Sequence, residues 1–187
     1  MFKYLIAFTL LFCSSFTLCA EELPVLRTVS SMSFDDAQGK HWTEAALQGK
    51  VSVINFFFAS CKNICPAMNK RLRDRSKEFF NDPRFQIFSV TVDPENDNPQ
   101  ALKEYAAYLG NNPHWYFLRG PIKNVEQFLV TGLGIGSPHD VTLHTTRLTL
   151  IDHKGQVRAY VSSSDSDEMD ELAPKISSLL SELKSKP

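Results

Sequence analysis

Hydrophobic positions fall into runs whose periods change along the chain, and those changes predict the elements. Val51 to Phe58 is an almost unbroken β-branched and aromatic run, as expected of a strand covered on both faces. Phe85 to Val92 predicts a second strand of the same kind. Between them, Met68, Leu72 and Phe79 fall near helical spacing, with Lys70, Arg71, Arg73, Arg75 and Lys77 on the rest of the surface. Such a basic outer face reads first as a solvated surface and only second as a dock for an acidic partner. Asn98 as cap, Pro99 at the first position, a stripe of Leu102, Tyr105, Ala106 and Leu109, and a closing Gly110 predict the next helix.

Trp115 to Leu118 reads as a short extended piece, and Pro121 opens a helix carrying Ile122, Val125, Phe128 and Leu129. Gly132, Gly134 and Gly136 are spaced like a phosphate loop but follow a helix rather than a strand, so that reading is set aside. Thr145 to Asp152 and Gln156 to Val161 predict a hairpin turning at His153-Lys154-Gly155, and a last helix from about Ala173 buries Ile176, Leu179, Leu180 and Leu183. Weak alternation from Val25 to Trp42 around Asp35-Asp36-Ala37-Gln38-Gly39 adds an N-terminal β-hairpin. Strand, helix, strand, helix, then hairpin and helix predict one α/β domain with a central mixed sheet flanked by helices.

The first twenty residues follow a different pattern. Lys3 is their only charge, Tyr4 to about Phe12 is apolar, and Leu18-Cys19-Ala20 precedes Glu21 and Glu22. A positive tip, a short apolar middle and a small residue at the cut predict a signal peptide over residues 1–20, with one domain over residues 21–187. The alternative is a retained anchor. Export implies a periplasmic or otherwise external location, and retention a membrane-anchored protein facing the periplasm. No later segment has the roughly 18 uninterrupted apolar residues of a spanning helix. The chain of 187 residues is 43% hydrophobic and 22% charged, with a net charge of −1. That balance argues against a nucleic-acid wrapper or a polybasic membrane binder, since both need a net positive field, and leaves room only for a local basic patch.

Cleavage after Ala20 would remove Cys13 and Cys19 and leave Cys61 and Cys65, four apart, just past the carboxyl end of the first buried strand. Open α/β sheets place their ligands there. Pro66 predicts a turn over 61–65 feeding a helix that begins near Pro66, and amide hydrogens at a helix start favour thiolate. Lys62 adds positive charge beside Cys61. A thiolate is both nucleophile and metal ligand, so this placement leaves redox chemistry and metal binding open. Three intervening residues differ from the usual two of a thioredoxin-type pair. Two soft thiolates select Cu(I), and an added imidazole also accommodates Cu(II). The candidate imidazoles are His41, His114, His139, His144 and His153. His144 stands out because it enters a predicted strand, although residue type alone does not decide among the five.

Four stretches together resemble the Sco/SenC proteins. They are Phe56-Phe57-Phe58-Ala59-Ser60-Cys61-Lys62-Asn63-Ile64-Cys65-Pro66-Ala67-Met68, Ser89-Val90-Thr91-Val92-Asp93-Pro94-Glu95, Leu102-Lys103-Glu104-Tyr105, and His144 eleven residues before Gly155. The likeness runs from about Val29 to the C-terminus. It implies a thioredoxin-like fold and a copper site made by Cys61, Cys65 and His144, carrying Cu(I), Cu(II) or both, with Asp93 in a supporting role. It also implies a part in assembling the copper centre of cytochrome c oxidase. The implied partners are a copper-containing oxidase subunit or another copper chaperone, together with a thiol-disulfide reductant. Leu143 stands where the family commonly has an acidic residue before its histidine.

Three other readings compete with a metallochaperone. In a thiol-disulfide oxidoreductase, Cys61 would attack a partner disulfide and Cys65 would resolve it. Ile64-Cys65-Pro66 also resembles a peroxiredoxin's peroxidatic cysteine, but Lys62 replaces the usual threonine three residues before it. An inert disulfide in an exported binding module is the plainest reading.

Overall fold

The computed structural model describes residues 22–136 and 145–184. Its sheet holds eight strands: β1 (Arg27–Thr28), β2 (Ser33–Asp36), β3 (His41–Thr43), β4 (Val51–Phe57), β5 (Phe85–Thr91), β6 (Trp115–Arg119), β7 (Arg147–Ile151) and β8 (Gln156–Ser162). Their spatial order is β1-β8-β7-β4-β5-β6-β2-β3. The middle strands β4, β5 and β6 are parallel, and the flanking pairs are antiparallel. Helices α1 (Ile64–Ser76), α2 (Pro99–Tyr108), α3 (Ile122–Gln127), α4 (Ser166–Asp170) and α5 (Leu172–Lys184) flank it. This mixed sheet with flanking helices is the expected thioredoxin-like α/β fold.

The apolar runs at 51–57 and 85–91 form the sheet centre because every residue in both is buried. Val51, Val53 and Phe57 meet Met68 and Leu72 of α1, Leu102 of α2 and Ile176 of α5 on one face. Ile54 and Phe56 meet Phe34, Trp42, Val125 and Phe128 on the other. Each fully buried Phe or Leu contributes about 1.5–3 kcal/mol of transfer free energy, so these two faces fix which way β4 is pleated.

The N-terminal hairpin forms where expected, with Phe34 opposite Trp42. Asp36 holds its turn, accepting from the amides of Gln38 and Lys40 and from Trp42 Nε1. Asn98 caps α2 as predicted, accepting from the amides of Gln100 and Ala101 at 3.0 Å each. Three boundaries differ from the sequence expectation. Helix α1 begins two residues before Pro66, for a reason that belongs to the cysteines. Strand β7 begins at Arg147 rather than Thr145. The short α4, capped by Asp165, precedes the last helix.

The basic face of α1 is partly engaged within the chain. Arg71 donates to the Ser163 carbonyl at 2.8 Å, Arg75 pairs with Asp170 of α4, and Arg73 pairs with Asp74. The signal-peptide expectation for residues 1–20 lies outside the described residues.

Candidate functional site

Strand β4 delivers the chain to the site, and the Val92 amide donates to the Phe57 carbonyl at 2.8 Å, holding β4 and β5 together at their carboxyl ends. A turn follows in which the Cys61 amide donates to the Phe58 carbonyl at 3.2 Å. Helix α1 then starts with Asn63 as its N-cap, yet the Asn63 side chain caps nothing. The Cys61 sulfur takes over that function: the Cys65 amide donates to Cys61 Sγ at 3.3 Å.

A helix start leaves four amide hydrogens without intrahelical partners. Here Pro66 has none to offer, so three remain on Asn63, Ile64 and Cys65. This explains the early helix start, since Pro66 sits comfortably within the first turn. Burial alone would raise the Cys61 thiol pKa. Hydrogen bonds from the Cys65 amide and thiol and from the amides of Asn63 and Ile64 outweigh it, leaving the group lowered. Lys62 is exposed, and the groups that lower Cys61 are peptide amides and Cys65.

Cys65 behaves oppositely. Burial, the hydrogen bond it gives to Cys61 and the charges of Cys61 and Asp97 push its thiol up to about 12, against a smaller lowering by the Phe58 amide. Both cysteines are free, with Cys61 part-exposed and Cys65 buried. The pair is thus an asymmetric dithiol: an accessible sulfur that carries charge readily and a buried one that keeps its proton.

Asp93, expected to support the site, receives both of its carboxylate contacts from Asn96 Nδ2, at 2.9 and 3.0 Å, and its amide donates to Thr91 Oγ1. The carboxylate acting on Cys65 belongs to Asp97, four residues later and 2% exposed. Asp97 Oδ2 accepts from the Ala59 amide at 3.0 Å and from the Thr91 hydroxyl. Sequence reasoning missed Asp97. Its one signal was a second aspartate closing the Asp93-Pro94-Glu95-Asn96-Asp97 turn directly before the Asn98 cap.

The remaining predicted residues are dispersed. His41 lies on the edge strand β3, its Nδ1 2.7 Å from Asp35. His114 precedes β6, where its carbonyl accepts from the Ile87 amide, and His153 occupies the β7–β8 turn beside Gly49. Both lie toward the amino ends of the parallel strands, away from the cysteines. His139 and His144 lie outside the described residues. Thr145, the first described residue after position 144, lines a small cavity together with Thr146, Cys65, Ile64 and Met68.

The model of the SCO1/SenC family matches residues 20–181. A SCO1 protein homolog of Bacillus subtilis is 28% identical over 162 residues, which are 83% of this chain and 84% of the relative. The solved structure of BsSco, described as a member of the Sco family of cytochrome c oxidase assembly proteins with a disulfide switch, superposes with a TM-score of 0.70. It is 28% identical and is matched over 88% of this chain and 98% of that one. Yeast Sco1 with copper bound superposes at a TM-score of 0.65 with 25% identity, over 88% of this chain and 96% of that one.

Proposed function

This chain belongs to the SCO1/SenC family, and from that premise we propose that it is an exported copper-binding assembly factor whose cargo is held by Cys61, Cys65 and His144 and passed to a copper centre, that of cytochrome c oxidase. The observation carrying this reading is the Cys61 sulfur seated on the first-turn amides of α1, 3.3 Å from the Cys65 amide, with both thiols free. Two sulfurs prepared in this way suit a soft ion such as Cu(I). The copper-bound structure of the yeast relative supports copper as that ion. Thr145 shares a cavity with Cys65, which supports its chain neighbour His144 as the third ligand.

The chain's own residues prepare the exchange. Cys61 is the entry ligand, because it is part-exposed and its thiol loses a proton more readily than that of Cys65. Cys65 must release its proton before it can bind, so loading is coupled to pH and to the thiol state. Oxidation to a disulfide withdraws both sulfurs at once. Delivery proceeds by ligand exchange to an oxidase subunit or another copper chaperone, and a thiol-disulfide reductant restores the dithiol. Export places these steps in the periplasm, with residues 1–20 removed or kept as an anchor.

Copper titration of the reduced protein, the oxidised protein and the Cys61→Ser, Cys65→Ser and His144→Ala variants tests the reading. One tight equivalent is expected in the reduced protein only, weakened by each replacement. Tight binding indifferent to either cysteine would refute it.

A second reading is favoured by the asymmetry of the pair and by the disulfide switch of BsSco. Cys61 thiolate attacks a partner disulfide, forming a mixed disulfide and releasing one partner sulfur as thiolate. Cys65, on losing its proton, then attacks Cys61 Sγ and frees the second partner sulfur. The partner gains two electrons, and this chain ends with a Cys61–Cys65 disulfide. Turnover that persists under copper chelation and in His144→Ala identifies this activity.

A further inference from the structure

We infer that Asp97 is a positioning residue for the two sulfurs, its carboxylate fastening the loop that carries Cys61 to the end of β5. The inference rests on the copper-site reading and deepens it. The geometry is a chain of contacts running inward from β6. Arg119 Nε donates to the Asp97 carbonyl at 3.1 Å, and Arg119 Nη2 donates to the Pro94 carbonyl at 2.9 Å. The Asp97 amide donates to the Asp93 carbonyl at 2.9 Å. The main chain at Asp97 is therefore held on both sides before its side chain makes any contact.

That side chain then reaches the cysteine loop. Asp97 Oδ2 accepts from the Ala59 amide, two residues before Cys61, and from the hydroxyl of Thr91 at the last position of β5. Thr91 Oγ1 in turn accepts from the Asp93 amide at 3.0 Å. Ala59 is where the chain leaves β4 for the cysteine turn, so a shift there is passed to Cys61 but not to Cys65, which is fixed by α1. Asp97 consequently governs the spacing between the two sulfurs more than the place of either one in the core. A buried acceptor of two donors has little freedom to reorient, which suits a clasp.

Both bonds end on the same oxygen. Among the described residues Oδ1 makes no hydrogen bond, so asparagine can keep its carbonyl at the Oδ2 position and place its amide at the Oδ1 position. Asp97→Asn therefore retains the clasp without the charge, whereas Asp97→Ala removes both.

Full-length reduced protein titrated with Cu(II) reports the site through its sulfur-to-Cu(II) charge-transfer band and, by competition with a chelator, its affinity. The equilibrium of the copper-free Cys61–Cys65 pair with a dithiothreitol redox buffer reports sulfur spacing without any metal. Asp97→Ala is expected to move the band, lower copper affinity about tenfold or more and shift the dithiol equilibrium, at a wild-type circular dichroism spectrum. Asp97→Asn is expected within about twofold of wild type on all three measures, as a retained acceptor requires. Thr91→Val is expected to fall between them.

A folded Asp97→Ala protein with wild-type band, affinity and equilibrium would overturn the inference. So would an Asp97→Asn protein as impaired as Asp97→Ala, because charge rather than position would then be responsible. If Asp97→Ala does not fold, Thr91→Val decides, and an unchanged band and equilibrium would overturn the clasp. If wild-type protein binds no copper, the copper reading fails by itself and the dithiol equilibrium still tests Asp97.

Discussion

The amide of Cys65 donates to the sulfur of Cys61 at 3.3 Å, so each cysteine helps set the chemistry of the other. The first is charged more readily because the second points a donor at it. The second keeps its proton because it is buried and because it gives that hydrogen to the first.

This asymmetry predicts the order of alkylation. With reduced, copper-free protein at neutral pH, iodoacetamide followed by peptide mass spectrometry is expected to modify Cys61 at least about tenfold faster than Cys65, as thiolate fraction and access both dictate. Equal rates would contradict the assignment of roles.

Alkaline stability follows mainly from the two groups raised furthest. The Cys65 thiol is pushed from 9.0 up to about 12, and the buried Tyr105 phenol from 10.0 up to about 12. In both, the fold holds a proton that the unfolded chain gives up earlier. Their contribution is complete below the unfolded values and is lost as pH rises from about 9 toward 12. Urea midpoints of the reduced protein are expected to decline across that window, less steeply in a Cys65→Ser, Tyr105→Phe double variant. An equally steep decline in that variant would assign the loss to other groups.

A buried polar chain ties the cysteine helix to the sheet. The Trp115 indole can only donate, and it gives its hydrogen to Ser89 Oγ at 2.8 Å; Ser89 then donates to Asn55 Oδ1 at 2.6 Å. Asn55 Nδ2 donates to Asn69 Oδ1 at 2.7 Å, and Asn69 Nδ2 to Tyr105 Oη at 3.0 Å. Every direction is thereby fixed from one end. Asn69 lies one helical turn after Cys65. Asn69→Leu leaves the Asn55 amide without its acceptor and is expected to cost about 1–3 kcal/mol in urea unfolding. A smaller loss would mean that the chain is not coupled as drawn.

Arg158 forms a second buried cluster away from the cysteines. Its side chain is 2% exposed and pairs with Asp152 at 2.9 Å and Glu182 of α5 at 2.8 Å, and it also donates to the Leu23 carbonyl. Arg158→Ala leaves the fully buried Asp152 carboxylate without its counter-charge and is expected to destabilise by about 3–5 kcal/mol, read from chemical denaturation. The copper charge-transfer band of the protein that remains folded is expected to be unchanged.

The central strands, the N-terminal hairpin and the Asn98 cap were legible because each rests on a local signal: a continuous apolar run, a turn sequence, or a capping residue followed by proline. The cysteine pair was legible for the same reason, lying where a buried run ends. The start of α1 was not, because its cap is a sulfur two residues before the N-cap position. Asp97 was hidden because its importance depends on Ala59, 38 residues away, and on Thr91, which only the parallel pairing of β4 with β5 brings beside the cysteine loop. Asn55 and Asn69 interrupt otherwise apolar patterns and gain meaning only from each other.

X-ray absorption spectroscopy of the reduced, copper-loaded protein tests the proposed ligand set most directly. Two sulfur scatterers and one imidazole are expected around each copper, with the imidazole signal lost in His144→Ala and one sulfur lost in each cysteine variant. An imidazole signal that survives in His144→Ala, or a copper shell without two sulfurs, would contradict that ligand set.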